Sequence, residues 1–97
     1  MKRGTTQSIT FTLPEEIVID TLFITFAQNG AVVLEKTYDD VEISGKVITL
    51  PLSQEDTLAF KSGVVTVQLR LRDSEGNALA SNLKKFNAEN VLKEGVI

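Results

Sequence analysis

The chain has 97 residues, enough for one domain, and its 42% hydrophobic and 24% charged residues set it among globular proteins rather than disordered ones. With no cysteine and no histidine, disulfides, thiolate metal sites and the commonest general base are all excluded. A net charge of −3 argues against nucleic acid as the main partner, because phosphate binding needs concentrated positive charge.

The opening Met1-Lys2-Arg3-Gly4 is basic, but Thr5-Thr6-Gln7-Ser8 follows where a signal peptide would carry an apolar run. No apolar stretch approaches the roughly 18–20 residues that span a bilayer. The expectation is a chain made and folded in the cytoplasm, with no membrane partner. Ser8 to Leu13 then alternates strictly, with Ile9, Phe11 and Leu13 on one face, and Pro14 ends the run. Ile17 to Gln28 carries Leu22, Ile24 and Phe26 on one side and Thr21, Thr25 and Ala27 on the other. Phe23 breaks that polar side, so it either lies under a loop or marks a contact surface. Asn29-Gly30 is the strongest hairpin signal, since a type I′ turn needs positive φ at both central positions. Ala31 to Thr37 returns antiparallel, and Tyr38-Asp39-Asp40 makes a corner.

Val41 to Ile43 and Val47 to Leu52 form a second hairpin about Ser44-Gly45-Lys46, with Pro51 marking an edge or a strand end. This hairpin either joins the main sheets or stands outside them as a ribbon. At Ser53-Gln54-Glu55-Asp56 the period changes. Ser53 can cap a short helix and the acids suit its first turn, giving one helical turn near residues 53–60 that plugs an end of the fold. A long strand pattern runs from Val64 to Arg72, with Val65, Val67, Leu69 and Leu71 alternating with Thr66, Gln68, Arg70 and Arg72. Asp73 to Asn77 turns the chain, with Gly76 at a positive-φ position, and Ala78 to Phe86 returns with a weaker alternation. About seven short strands at this spacing predict an all-β fold, an antiparallel β-sandwich of immunoglobulin-like type. Residues 1–97 are read as a single β-sandwich domain, with 1–7 a polar arm and 88–97 a possible tail tipped by Val96 and Ile97.

The chemistry left to such a chain is carboxylates, hydroxyls, lysines and one tyrosine. Asp39-Asp40 with Glu42 is the densest acidic patch, but it lacks the spacing of a calcium loop and reads as a solvated corner. Neither Glu15-Glu16 nor Glu55 with Asp56 is tied to any pocket that could separate their pKa values. Arg70 and Arg72, with Lys84 and Lys85 placed near them, form a small basic patch without interleaved aromatic residues to stack bases. The aromatic residues, Phe11, Phe23, Phe26, Phe60, Phe86 and Tyr38, are expected to build the core. No catalytic residue, no metal ligand set and no cofactor site is identified. The candidate interaction residues are Phe23, Tyr38, Arg70, Arg72, Val96 and Ile97.

Several segments, taken together, resemble a family of small proteins from phages and prophages of Gram-positive, Firmicutes-type bacteria. They are Met1-Lys2-Arg3-Gly4-Thr5-Thr6, Phe11-Thr12-Leu13-Pro14, Ile24-Thr25-Phe26-Ala27-Gln28-Asn29-Gly30, Leu52 to Phe60, Gly76 to Ser81 and Val91 to Ile97. That family occurs among virion structural and assembly genes. The resemblance implies a non-enzymatic virion structural or assembly protein, made in the host cytoplasm and then built into the particle. Its partners would be other phage structural proteins, and alone it would be a monomer or weak homo-oligomer. The alternative is a ligand- or carbohydrate-binding β-sandwich module of a phage tail or baseplate.

Overall fold

The computed structural model describes residues 3–80 and 84–89. Eight strands run through these residues: β1 (Gln7–Thr12), β2 (Ile19–Gln28), β3 (Ala31–Thr37), β4 (Glu42–Ser44), β5 (Val47–Leu52), β6 (Gly63–Asp73), β7 (Ala78–Ala80) and β8 (Lys84–Ala88). A 3-10 turn, Tyr38–Asp40, follows β3, and a short helix, α1 (Gln54–Leu58), joins β5 to β6.

The strands form two antiparallel sheets, one ordered β1-β5-β4 and the other β3-β2-β6-β7, with β8 also paired to β6. These are the strand orders of an immunoglobulin-like sandwich: β1, β5 and β4 occupy the places of B, E and D, and β3, β2 and β6 those of C′, C and F. β7 and β8 share the place of G. Among the described residues no strand precedes β1, so its outer side is a sheet edge. The 41–52 hairpin is therefore no outlying ribbon. It supplies two of the three strands of the smaller sheet, because Ile48, Leu50 and Leu52 must be covered and are buried against the larger one. Pro51 lies past Thr49, the last β5 residue paired with β4, so its missing N–H takes no bond from the ladder.

The alternation read along Val64 to Arg72 sets the layers. Val65, Val67, Leu69 and Leu71 are buried, as are Leu22, Ile24 and Phe26 on β2 and Phe11 on β1. Three rings close one end of this core: Phe26 and Phe60 at 5.4 Å between centroids, Phe60 and Phe86 at 5.9 Å, and Phe26 and Phe86 at 6.5 Å. The tilted and edge-on arrangements suit the ring quadrupoles. Phe23 and Tyr38 depart from the expectation of an aromatic core and stand exposed.

Turn chemistry is set by local sequence. Asn29 and Gly30 have φ of 53° and 77°, which the type I′ turn requires, and Gln28 pairs with Ala31 across it. The Asp73 carboxylate accepts the N–H groups of Asn77 at 2.8 Å and Glu75 at 3.0 Å, closing the β6–β7 turn. The Asn77 amide above all holds that carboxyl below its ordinary value. Ser53 Oγ accepts the Asp56 N–H at 3.1 Å while Asp56 Oδ2 accepts the Ser53 N–H at 2.9 Å, so the reciprocal capping box forms with aspartate where glutamate is usual.

The polar arm expected over residues 1–7 is corrected over Arg3 to Thr5, and β1 already begins at Gln7. Arg3 is buried, its backbone N–H donates to Glu89 O at 2.9 Å, and its guanidinium donates to the Phe60 and Leu58 carbonyls at the end of α1. Thr57, fully buried, accepts the Gly4 N–H at 2.9 Å and directs its own hydroxyl to Thr5 O at 2.8 Å. Cationic groups are favoured at a helix C-terminus, where carbonyls lack partners. The docking joins residues more than fifty positions apart, which no local pattern announces. The possible tail at 88–97 begins inside β8, and residues 90–97 lie outside the described residues.

These contacts carry two stability predictions. Thr57→Val removes a buried hydroxyl that serves both Gly4 and Thr5, and urea unfolding is expected to show a loss of about 1–3 kcal/mol. Thr57→Ser, which keeps the hydroxyl, loses only about 1 kcal/mol. For Asp56, burial raises the pKa, but the Ser53 amide and the Lys36 ammonium, 3.0 Å away, outweigh it and hold the carboxyl below 3.8. A folded value below the unfolded one contributes stability at higher pH that is lost as pH falls through the folded pKa. Thermal unfolding from neutral pH down to about pH 2 should show Asp56→Asn less stable than the parent at neutrality and falling less steeply below about pH 4.

Candidate functional site

The outward face of the larger sheet arises from the same alternation that builds the core. Between the buried Leu22 and Ile24, β2 turns Phe23 outward, leaving it 42% exposed. β6 turns Gln68, Arg70 and Arg72 the same way. Pairing places Phe23 directly opposite Arg70 and Thr21 opposite Arg72. On the far side of β6, β7 sets Ala80 against Arg70 and Ala78 against Arg72. The small alanine side chains leave a shallow depression of about 280 Å³ lined by Thr21, Phe23, Arg70, Arg72, Ala78 and Leu79.

Among the described residues neither guanidinium has a carboxylate within ion-pairing distance. Their Cα atoms stand about 7 Å apart along one strand face, so the two charges act together on whatever approaches. The neighbouring acid on β3, Glu35, accepts a hydrogen bond from Thr25 Oγ1 at 3.4 Å. The patch thus combines one aromatic side chain, two arginines without a carboxylate partner among the described residues, and a floor of small residues. Aromatic residues and arginine are enriched where proteins bind one another, and a guanidinium binds carboxylates in a planar, two-pronged way.

Three of the six candidate residues, Phe23, Arg70 and Arg72, therefore come together. Tyr38, 45% exposed, follows Thr37, the cross-strand partner of Phe23, and stands at the border of the same sheet. Val96 and Ile97 lie outside the described residues. The basic patch is smaller than the sequence suggested. Ala80 stands opposite Arg70 and Lys84 opposite Val67, so Lys84 is one residue out of the register that Ala80 keeps and the alternation changes phase. Lys85 faces outward opposite Thr66, about 13 Å along the strand from Arg70. Lys84 falls on the inner side instead, where its ammonium sits 4.5 Å over the Phe11 ring and donates to Thr10 O at 3.0 Å. The phase change also carries Phe86 inward, onto the aromatic cluster. Leu79 and the two alanines of β7 were missed as parts of the surface. Their place depends on register with β6, and only the turn at Asp73–Asn77 hinted at it.

A larger hollow of about 610 Å³ lies between Thr6 and Ser8 on one side and Lys36, Asp40 and Asp56 on the other. Its charged groups are already engaged: Lys36 with Asp56 at 3.0 Å, Asp56 with Ser53, and Asp40 with the Thr37 N–H at 2.9 Å. Among the described residues no three acidic side chains converge as a metal site would require. No helix among them is long and apolar enough to cross a membrane.

No family model matches the chain, and no curated protein sequence matches it. Among solved structures it is similar to the V domain of amphioxus IgVJ-C2, at 13% identity and a TM-score of 0.40, over 94% of this chain and 97% of that one.

Proposed function

We propose that this chain is a non-enzymatic structural or assembly component of a phage or prophage particle, working through protein–protein contacts. The observation that carries the contact surface is Phe23 set beside Arg70 and Arg72, two guanidiniums without carboxylate partners among the described residues. Such a face fits an acidic patch on another virion protein, which would neutralise both arginines and cover the ring. Support for the particle comes from the resemblance of its segments to the phage family. In this reading the protein is made in the host cytoplasm, is a monomer or weak dimer alone, and enters the virion by docking. Nucleic acid and membranes are not its partners.

The test is a pull-down from lysate of a prophage-induced host with the purified protein as bait, followed by mass spectrometry. Capsid, portal or tail proteins in the eluate are the expected result. Arg70→Glu and Phe23→Ser should each deplete them at least tenfold, since a charge reversal at an acidic contact and loss of an aromatic anchor each remove roughly 2 kcal/mol or more. Both variants should unfold within about 1 kcal/mol of the parent, because neither side chain is buried. An eluate free of virion proteins sinks the assembly reading. The tail or baseplate carbohydrate-binding alternative gains if a glycan panel then shows binding that Phe23→Ser or Tyr38→Ser abolishes.

A further inference from the structure

We propose that the outer edge of β1 accepts an extended segment of another protein, with apolar side chains at alternate positions and a carboxylate placed to meet Lys84. The smaller sheet would thereby gain a fourth strand. This surface lies on the other sheet from Phe23 and Arg70 and does not depend on their role.

The phase of the β1–β5 ladder fixes what that edge offers. Leu13 N–H donates to Lys46 O at 2.7 Å, which continues the β1–β5 register by one pair. Bonded pairs alternate with non-bonded ones in an antiparallel ladder, so Gln7, Ile9 and Phe11 bond to β5 and Ser8, Thr10 and Thr12 turn their N–H and C=O groups outward. Among the described residues the one group that meets this edge is Lys84 Nζ, at Thr10 O.

The other edges are blunted. β3 has a register break opposite Phe26 and Ala27, β4 and β7 are three residues each, and the five-residue β8 carries two charged residues, Lys84 and Lys85. Bulges and short strands are common devices against unwanted pairing. β1 is six residues long with unbroken register. Beside it, between the two sheets, runs a groove of about 360 Å³ lined by Phe11, Leu13, Ile17, Leu71 and Leu79, with Lys84 the charged group among its described residues. Leu79 is 45% exposed there. A strand added to β1 would send every second side chain into this groove and every other one outward beside Ser8, Thr10 and Thr12.

Charge selects the occupant. The groove presents an ammonium and no carboxylate among its described residues. Two copies of this chain joined edge to edge about Thr10 would bring both Lys84 ammoniums to one place without an acid between them. A foreign strand bearing a glutamate or aspartate meets the ammonium, which has two donors beyond the one given to Thr10. Lys84 is then a latch: it occupies the edge until a carboxylate draws it aside.

The test uses the full chain, isotopically labelled, and two end-capped peptides of about eight alternating valines and threonines with a central glutamate or lysine. The glutamate peptide is expected to shift the Ser8, Thr10 and Thr12 amides and slow their hydrogen exchange at least about tenfold, leaving the Phe23 and Arg70 amides unmoved. Thr10→Pro should abolish binding while the circular dichroism spectrum stays that of the parent, because the lost N–H points away from β5. Lys84→Glu should invert the preference between the peptides by about tenfold. Silence toward both peptides at millimolar concentration overturns the proposal, as does binding that survives Thr10→Pro. Sedimentation revealing a dimer of the parent chain that Thr10→Pro dissolves would make a second copy the occupant and overturn it equally.

Discussion

The structure depends on the strict two-residue alternation of β6 against β2. Because a strand sends successive side chains to opposite faces, burying Val65, Val67, Leu69 and Leu71 obliges Gln68, Arg70 and Arg72 to face out. The same obligation on β2 turns Phe23 outward between Leu22 and Ile24. Core and contact face are thus two sides of one constraint, and a one-residue slip would destroy both together. The unbroken stretch of the β2–β6 register, running from Thr21 opposite Arg72 to Ala27 opposite Thr66, is what resists such a slip.

On the other side of β6 that constraint is relaxed at one place. Up to Ala80 the returning chain keeps step with β6, and from Lys84 onward it is one residue out. Leu79 therefore lies over the groove beside β1, and Phe86 reaches the ring cluster with Phe26 and Phe60. Lys84, which an unbroken alternation would have turned outward, points at β1 instead. Its ammonium lies over the Phe11 ring, an arrangement favoured by the negative face of the ring.

What the sequence made legible is what short-range chemistry dictates. Asn29-Gly30 can serve few purposes other than a tight hairpin, and Ser53 with Asp56 caps a helix wherever the helix lies. The β6 alternation is visible because it is long and nearly perfect. From these features the two-layer sandwich could be anticipated, and Phe23, Arg70 and Arg72 could each be named, but the β2–β6 pairing that brings them together could not. The remainder depends on partners distant in the chain. Which sheet receives β4 and β5 is decided by what can cover Ile48 and Leu50, and the local pattern of the hairpin does not say where that cover comes from. Arg3 reads as part of a polar arm, yet it is buried because the Leu58 and Phe60 carbonyls at the end of α1 need donors. The inward turn of Lys84 depends on a one-residue change of register between Ala80 and Lys84, in a stretch where the alternation was already weak.

Edge protection links these long-range features to function. A sandwich whose described residues leave the outer side of β1 open must guard that edge, and a regular strand beside an apolar groove invites pairing. A proline there would have closed the edge for good. A lysine from the opposite sheet closes it reversibly: one hydrogen bond to Thr10 O and a contact with Phe11 hold the ammonium, and both can be exchanged for a stronger, charge-assisted bond. Strands that lack a carboxylate must displace the ammonium without replacing what it loses, and self-pairing would set two ammoniums side by side. Protection against the wrong strand and selection of the right one therefore rest on the same side chain, placed by the same one-residue change of phase.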